Sequence, residues 1–277
     1  MLSKQELHTY RDTSRILLRA KEFICLRPHP GLRAYIANYN ITFPTTELLS
    51  AGITTIPSGC ATLTIEQDNR GVSITLDGPA TKPYIELFSG TEGKQLVSIE
   101  FKPAGLYALT GISQNELLDQ SIEFEAVYPK LSRLISEALE KARSIPDLAN
   151  SLDFLFLKNM YGAYHPQLNP TLQSIVDSAG NVAVKSLSDD IHYSERQLNR
   201  IFKEQVGISA KSFSRLIRIN KSFRLLKKPQ KSLGFVSDVM GFHDLSHFIR
   251  DFKSVCGVTP QEYRNKMSDF YINTTKF

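Results

Sequence analysis

The chain has 277 residues, of which 42% are hydrophobic and 22% charged, and its formal net charge is +5. This length predicts two domains, and the apolar content excludes a disordered chain. The three cysteines form no CxxC pair, and neither an apolar run of about 18 residues nor a signal-peptide pattern occurs. We therefore expect a globular cytoplasmic protein without disulfides, a zinc finger or membrane spans.

The region of residues 50–102 has the pattern of short strands. Apolar or β-branched runs alternate there with turns rich in Gly, Pro, Asn and Asp. Their spacing of roughly ten residues predicts a sheet that packs on itself as a sandwich or barrel, and residues 32–43 add one or two strands. Four aromatic residues either line a pocket for a small-molecule effector or pack in the core: Tyr35, Tyr39, Tyr84 and Phe101.

Helical periodicity begins near residue 130. Leu131, Leu134 and Leu139 lie on one helical face, and a second, densely apolar helix follows the break at 144–147. These two helices at 130–162 either cover their own β domain or form a homodimer, and the sequence leaves both interpretations open. The segment HPQLNP, with prolines at both ends, predicts a linker at 165–170.

The C-terminal third is basic and repeats itself. Residues 171–277 hold 17 Lys+Arg and 10 Asp+Glu, a net charge of +7. Residues 194–209 match residues 244–259 at an offset of 50, with identical Arg, Phe, Lys and Gly positions. A basic module that contains an internal repeat is typical of nucleic-acid binding.

Each copy of the repeat has the signals of a helix that follows a tight turn. Ser194 and Asp244 are N-cap residues, and Gly207 and Gly257 suit the left-handed backbone at the helix end. A shorter helical segment precedes each copy, at 182–191 and 231–240, which predicts two helix-turn-helix units. Residues 210–228 form one long helix between the units.

The outer face of each second helix carries groups that suit base readout. Arginine reads guanine, and asparagine or glutamine reads adenine, in the major groove. The predicted DNA-binding residues are Arg196, Gln197, Asn199, Arg200 and Lys203 in the first unit, and Ser246, His247, Arg250 and Lys253 in the second.

The last 100 residues or so resemble the DNA-binding domain of AraC/XylS-type transcription regulators. The closing signature of that family is matched by GFHDLSHFIRDFKSVCGVTPQEYR at 241–264, although Leu245 and Ile249 replace residues that are often polar there. The resemblance implies two helix-turn-helix units on a linker helix, double-stranded DNA as partner, and activation through RNA polymerase. Residues 56–65 and 97–122 more loosely resemble a cupin-like domain, which implies sensing or dimerisation.

The fold class predicted from these observations is α+β. An N-terminal β-sandwich or barrel of the cupin-like kind, with flanking helices, precedes an all-α domain of two helix-turn-helix units joined by a linker helix. The predicted divisions are a sensing or dimerisation domain at 1–164, the linker at 165–170, the DNA-binding domain at 171–268 and a tail at 269–277.

The sequence offers no catalytic set and no ligand spacing for a metal, so we expect neither an enzyme nor a cofactor. The expected function is a sequence-specific DNA-binding regulator, an activator that reads two adjacent major grooves. The alternative is a helical protein-interaction adaptor without specific DNA binding, which salt-dependent DNA binding would exclude. The sequence leaves the effector, the target DNA and the oligomeric state open.

Overall fold

The computed structural model describes residues 2–46, 49, 53–86, 94–162 and 165–265. The strands are β1 (Ile16–Arg19), β2 (Phe23–Leu26), β3 (Ile36–Thr42), β4 (Ile53–Thr55), β5 (Thr62–Asp68), β6 (Gly71–Asp77), β7 (Tyr84–Glu86), β8 (Gln95–Phe101) and β9 (Ser121–Glu123). The helices of the first half are α1 (Glu6–Thr9), α2 (Gly105–Thr110), α3 (Phe124–Val127), α4 (Pro129–Lys141) and α5 (Ile145–Asn159). The helices of the second half are α6 (Leu168–Asp177), α7 (Val184–Asp190), α8 (Glu195–Val206), α9 (Ala210–Leu226), α10 (Leu233–Val239), α11 (Leu245–Cys256) and α12 (Pro260–Asn265).

Seven strands form one antiparallel sheet in the order β1-β2-β3-β8-β5-β6-β9, and β4 pairs with β7 in a second sheet. The hairpin of β5 and β6 runs in register from the pair Thr62–Asp77 to the pair Asp68–Gly71. A strand-rich first part and a helical second part confirm the α+β class. The tail predicted at 269–277 lies outside the described residues, and none of the described helices has the length and apolarity needed to cross a bilayer.

One face of the seven-stranded sheet is apolar and is covered by helices. The rings of Tyr39 and Phe101 lie 6.4 and 6.2 Å from the ring of Phe156 in α5. Both side chains are almost fully buried in this core. Tyr39 and Phe101 thus pack in the core, which is the arrangement that the sequence left as the alternative to an effector pocket, and their effector role stays a prediction.

The other two aromatic candidates lie elsewhere in the β domain. Tyr35 is partly buried and packs against the same core. Tyr84 is partly buried in β7, in the second sheet. The effector role of these two residues stays a prediction.

The helices at 130–162 pack within their own chain. Leu131, Ile135 and Leu139 of α4 are buried in the core beneath the sheet. The proposed dimer face is thus used for intrachain packing, since apolar helix faces are stabilised by the nearest apolar sheet. Phe154 and Leu157 of α5 remain 61% and 42% exposed.

The helices from α6 onward share a second core. Leu168 and Leu172 are buried in it, so α6 begins inside the segment predicted as a linker at 165–170. Pro170 is compatible with this helix because it lies in the first turn, where backbone N–H groups have no partner within the helix. The helical domain therefore begins a few residues earlier than its proline pattern indicates.

The two domains contact each other at the end of α8. The Gln114 N–H donates to the Glu204 carbonyl oxygen at 2.7 Å, and the Tyr107 hydroxyl donates to Glu204 Oε1 at 3.3 Å. Burial, followed by the charge of Glu204, raises the pKa of Tyr107. A third bond joins Asn220 Nδ2 of α9 to the Pro57 carbonyl oxygen at 3.1 Å. The β domain is thus held against one end of α8 and the side of α9.

Candidate nucleic-acid interface

The internal repeat is two structural units of equal size. The helices α8 and α11 each span 12 residues, and the shorter helices α7 and α10 that precede them each span 7 residues. A turn of four or five residues joins the helices of each pair. Each unit has helix-turn-helix geometry, so the repeat read from the sequence is confirmed.

Side-chain caps begin both long helices of the units. Ser194 Oγ accepts from the Gln197 N–H at 3.2 Å, and Asp244 Oδ1 accepts from the His247 N–H at 2.6 Å. The hydrogen bond from His247, followed by that from His243, holds the pKa of Asp244 below its usual value. A capped N-terminus fixes where each helix starts, and so which side chains follow on its outer face.

The far ends of the two helices stop at glycines with a left-handed backbone. Gly207 has a φ of 92° and Gly257 a φ of 76°, a region that residues with a Cβ atom avoid. Both glycines were predicted from the sequence as helix ends. The two units therefore share their starts, lengths and stops.

Buried phenylalanines attach each unit to the long helix α9. The ring of Phe202 lies 6.1 Å from that of Phe213, and the ring of Phe252 lies 5.6 Å from that of Phe223. Phe213 and Phe223 both belong to α9. One helix thus supports both recognition helices, α8 and α11, and turns their opposite faces outward.

The outer face of α8 is open and basic. Arg196, Gln197, Arg200 and Lys203 are exposed, and the Arg200 side chain retains 73% of its accessible surface. Arg200 Nη1 lies 4.0 Å from Glu204 Oε2, a weak surface contact. The Gln197 side chain also accepts from the Ser194 N–H at 3.0 Å, which completes a capping box.

The outer face of α11 holds the matching positions of the repeat. Ser246, Arg250 and Lys253 are exposed. His247 is half-buried, with its ring edge-on to Phe242 and its Nε2 atom 3.4 Å from Asp251 Oδ2. The structure thus brings Arg250 and Lys253 to the surface together, while His247 also packs inside the unit.

Asn199 occupies a different position from that of its neighbours on α8. Its Oδ1 atom accepts from the Ala210 N–H at 3.2 Å, and its Nδ2 donates to the Glu195 carbonyl oxygen at 3.0 Å. Both polar groups of the side chain are therefore engaged within the domain. This geometry favours a supporting position between α8 and the start of α9, whereas the sequence predicted a base contact.

Replacing Asn199 by Ala is expected to lower the free energy of unfolding of the helical domain by about 0.5–1.5 kcal/mol, since the Ala210 N–H loses its acceptor. Urea denaturation measures the change. The control is Arg196→Ala on the exposed face of the same helix, which we expect to change stability by less than about 0.5 kcal/mol. An Asn199→Ala protein of unchanged stability, with altered preference at one base position, would instead identify Asn199 as a base reader.

Sequence reasoning missed two residues that join the units. Arg215 of α9 forms an ion pair with Asp251 of α11, with Nη2 2.9 Å from Oδ1. The four-residue spacing between His247 and Asp251 indicates a local helical pair. No local signal links Asp251 to Arg215, because 36 residues separate them in the chain.

Comparison with known families finds two separate matches along the chain. Residues 187–266 match a family model described as a helix-turn-helix domain. Residues 25–123 match a model described as a domain of unknown function (DUF6597). The first match contains both recognition helices, and the second contains most of the strands.

Each of the curated relatives matches a limited stretch of the chain. The chain is 36% identical over 75 residues to the HTH-type transcriptional activator RhaR of Pectobacterium atrosepticum, covering 27% of this chain and 26% of RhaR. It is 29% identical over 125 residues to the arabinose operon regulatory protein of Escherichia coli, covering 42% of each chain. It is 41% identical over 73 residues to the HTH-type transcriptional regulator MtrA of Neisseria gonorrhoeae, covering 26% of this chain and 24% of MtrA. The chain thus spans less than half the length of these relatives.

Two solved structures are also similar to this chain. The C-terminal domain of AraT, a response regulator from Geobacillus stearothermophilus, is 24% identical, with a TM-score of 0.36, and covers 38% of this chain and 89% of that chain. ToxT from Vibrio cholerae is 18% identical, with a TM-score of 0.42, and covers 84% of this chain and 94% of that chain. The family match and the two capped units identify residues 187–266 as a helix-turn-helix domain, and the sequence relatives of the chain include proteins named as transcriptional regulators and activators.

Proposed function

We propose that the chain is a sequence-specific DNA-binding transcription regulator that reads two adjacent major grooves with α8 and α11. The observation that carries this proposal is the pair of equal, capped helix-turn-helix units, each with exposed basic residues on its second helix. One α-helix fits a major groove, and the arginine fork matches the O6 and N7 acceptors of guanine. Arg200 and Arg250 occupy equal places in the repeat and are the main candidates for base contacts.

The dimensions of the linker helix support contact with two grooves. The helix α9 has 17 residues, which corresponds to about 25 Å at 1.5 Å per residue. Successive major grooves on one side of DNA lie about 34 Å apart, a distance that the helix and the two attached units together can span. A single chain then engages two half-sites without homodimerisation through residues 130–162.

The charge distribution supports DNA as the partner. The net charge of +7 lies in residues 171–277 and supplies the counterion release that drives phosphate binding. Because two of the similar relatives have names that specify activation or operon regulation, the proposal includes activation in the cytoplasm through contact with RNA polymerase. The proposal also includes control by a small effector that binds to the β domain.

Selection of binding sites from random duplex DNA by the full chain tests the proposal. We expect recovery of one sequence motif with two half-sites, and binding that weakens steeply as salt rises. The adaptor alternative predicts neither a motif nor a salt dependence. Absence of any enriched motif at low salt would contradict the proposed function.

Arg200→Ala and Arg250→Ala are each expected to weaken binding to the selected site by about 1–3 kcal/mol, or about 5- to 150-fold, if the side chain reads a guanine. Fluorescence anisotropy with the selected site and with a scrambled duplex measures the effect. The control is Arg224→Ala, an exposed arginine of α9 outside both recognition helices. A phosphate contact would weaken both duplexes alike and lower the salt slope by about one unit. Wild-type binding by either recognition-helix variant on both duplexes would show that its arginine does not contact DNA.

A further inference from the structure

Directional polar contacts tie both recognition helices to α9 at two separate places. The first tie is the hydrogen bond from the Ala210 N–H, at the start of α9, to Asn199 of α8 at 3.2 Å. The second joins Arg215 of α9 to Asp251 of α11. Ala210 and Arg215 lie about 7.5 Å apart along the helix axis. The two ties thus attach the two recognition helices to one rigid rod.

The second tie is the more elaborate of the two. Arg215 Nη2 lies 2.9 Å from Asp251 Oδ1, and the same guanidinium group donates to Ser254 Oγ one turn closer to the end of α11. Asp251 Oδ2 lies 3.4 Å from Nε2 of His247, a residue in the first turn of α11. The Asp251 side chain keeps only 20% of its accessible surface. Both contacts use Arg215 Nη2, so one nitrogen of the guanidinium group contacts two positions of α11 that lie about one turn apart.

Apolar packing alone specifies the position of α11 less strictly. The contact between Phe223 and Phe252 is strong, but hydrophobic attraction depends mainly on buried area and has little directionality. The hydrogen bond from Arg215 Nη2 to Ser254 Oγ requires a set angle as well as a set distance. The tie to Asp251 and Ser254 thus opposes rotation of α11 and sliding of α11 along α9.

We infer that Arg215 is a positioning residue, which sets the distance and rotational phase between the two recognition helices and thereby the half-site spacing that the protein accepts. The inference rests on the proposed function, and it adds the geometry of the target site. One inserted base pair moves a half-site by about 3.4 Å along DNA and by about 35° around it. A rigidly held pair of helices cannot follow that displacement, whereas a loosely held pair can.

The test uses the full chain and a series of duplexes built from the selected motif. The half-sites stand at the selected spacing or are separated by one or two additional base pairs, and one duplex keeps only a single half-site. For the wild type we expect each insertion to weaken binding by about tenfold, which is comparable to losing one good base contact. For Arg215→Met we expect the penalty to fall to about threefold, half the wild-type value on a free-energy scale. Binding to the single half-site should stay unchanged.

Three further variants separate positioning from folding. Arg215→Lys keeps the charge opposite Asp251 but replaces the guanidinium group by an ammonium group of different reach, and should recover part of the spacing penalty. Ser254→Ala removes only the hydroxyl that accepts from Arg215. If Arg215→Met loses its helical circular dichroism, the spacing penalty is measured on Ser254→Ala instead. Arg224→Met changes an exposed arginine of the same helix, and should keep the full wild-type penalty.

The outcomes distinguish this inference from the function on which it rests. Folded Arg215→Met and Ser254→Ala proteins that retain the full spacing penalty would overturn the positioning role and leave DNA recognition intact. A wild-type chain that prefers no DNA sequence would overturn the proposed function, and the inference with it. A lower penalty in the Arg215 variants, with unchanged half-site binding, supports both.

Discussion

Phe252→Ala is expected to lower the free energy of unfolding by about 3–5 kcal/mol, the usual cost of truncating a buried phenylalanine. The Phe252 ring is fully buried and lies 5.6 Å from Phe223, 5.6 Å from Tyr263 and 5.7 Å from Phe248. Alanine leaves a cavity among three rings that are too rigid to fill it. This loss is a large part of the roughly 5–15 kcal/mol that stabilises a whole domain. Since Phe252 belongs to α11, the second helix-turn-helix unit should loosen first.

Urea denaturation measures this loss, and DNase footprinting shows its effect on binding. The matched control is Phe235→Ala in α10, where the ring is 39% exposed and lies beneath the Lys231 ammonium at 4.2 Å. We expect the control to change stability by about 1 kcal/mol or less. Protection of the second half-site should shrink only for Phe252→Ala. Equal stability of the two variants would show that Phe252 does not carry the attachment of α11 to α9.

Asp153→Ala is expected to destabilise the β domain by about 3–5 kcal/mol, because it removes the carboxylate that pairs with the partly buried Arg15 and accepts two further hydrogen bonds. Asp153 of α5 is 5% exposed, and its Oδ2 lies 2.8 Å from Arg15 Nη2. Its Oδ1 accepts from the His29 N–H and from the Tyr39 hydroxyl, both at 2.9 Å. Burial, followed by the charge of Asp153, raises the pKa of Tyr39, so the hydroxyl remains a donor. One carboxylate thus joins α5 to the sheet and to the segment after β2.

Thermal and urea denaturation of three variants isolate the cause. Asp153→Asn keeps an acceptor for His29 and Tyr39 without the charge, so its loss should be smaller than that of Asp153→Ala. The double variant Arg15→Met with Asp153→Leu removes both charges and should recover much of the stability, since apolar replacements of a buried ion pair are often neutral or better. A double variant as unstable as Asp153→Ala would show that the hydrogen bonds, and not the stranded charge, dominate.

Much of the helical domain was predictable because its signals are local. An N-cap and the amide it accepts from lie three residues apart, as Ser194 and Gln197 do, and a helix-ending glycine needs only its own φ. The apolar stripe of Phe248 and Phe252 is a one-turn repeat. The offset of 50 residues then showed that these signals occur twice, which is strong evidence for two equivalent units.

The β domain was predictable in composition but less so in arrangement. The hairpin of β5 and β6 follows from two alternating runs around the turn at 69–70. The position of β8 between β3 and β5 does not, because alternation shows which residues share a face and not which strand lies next to it. For the same reason the sequence did not decide whether Tyr39 faced a pocket or α5.

The sequence by itself therefore determined the class of the fold, the two helix-turn-helix units and the basic outer faces of α8 and α11. These properties depend on spacings of three, four and seven residues, or on a repeat. Only the tertiary structure decided that Asn199 supports α9, that Arg215 holds Asp251 and that α4 packs on its own sheet. Each of these contacts joins residues on different elements, and it depends on the angle at which the elements pack. That angle follows from the shape of the whole core, which no local pattern in the chain encodes.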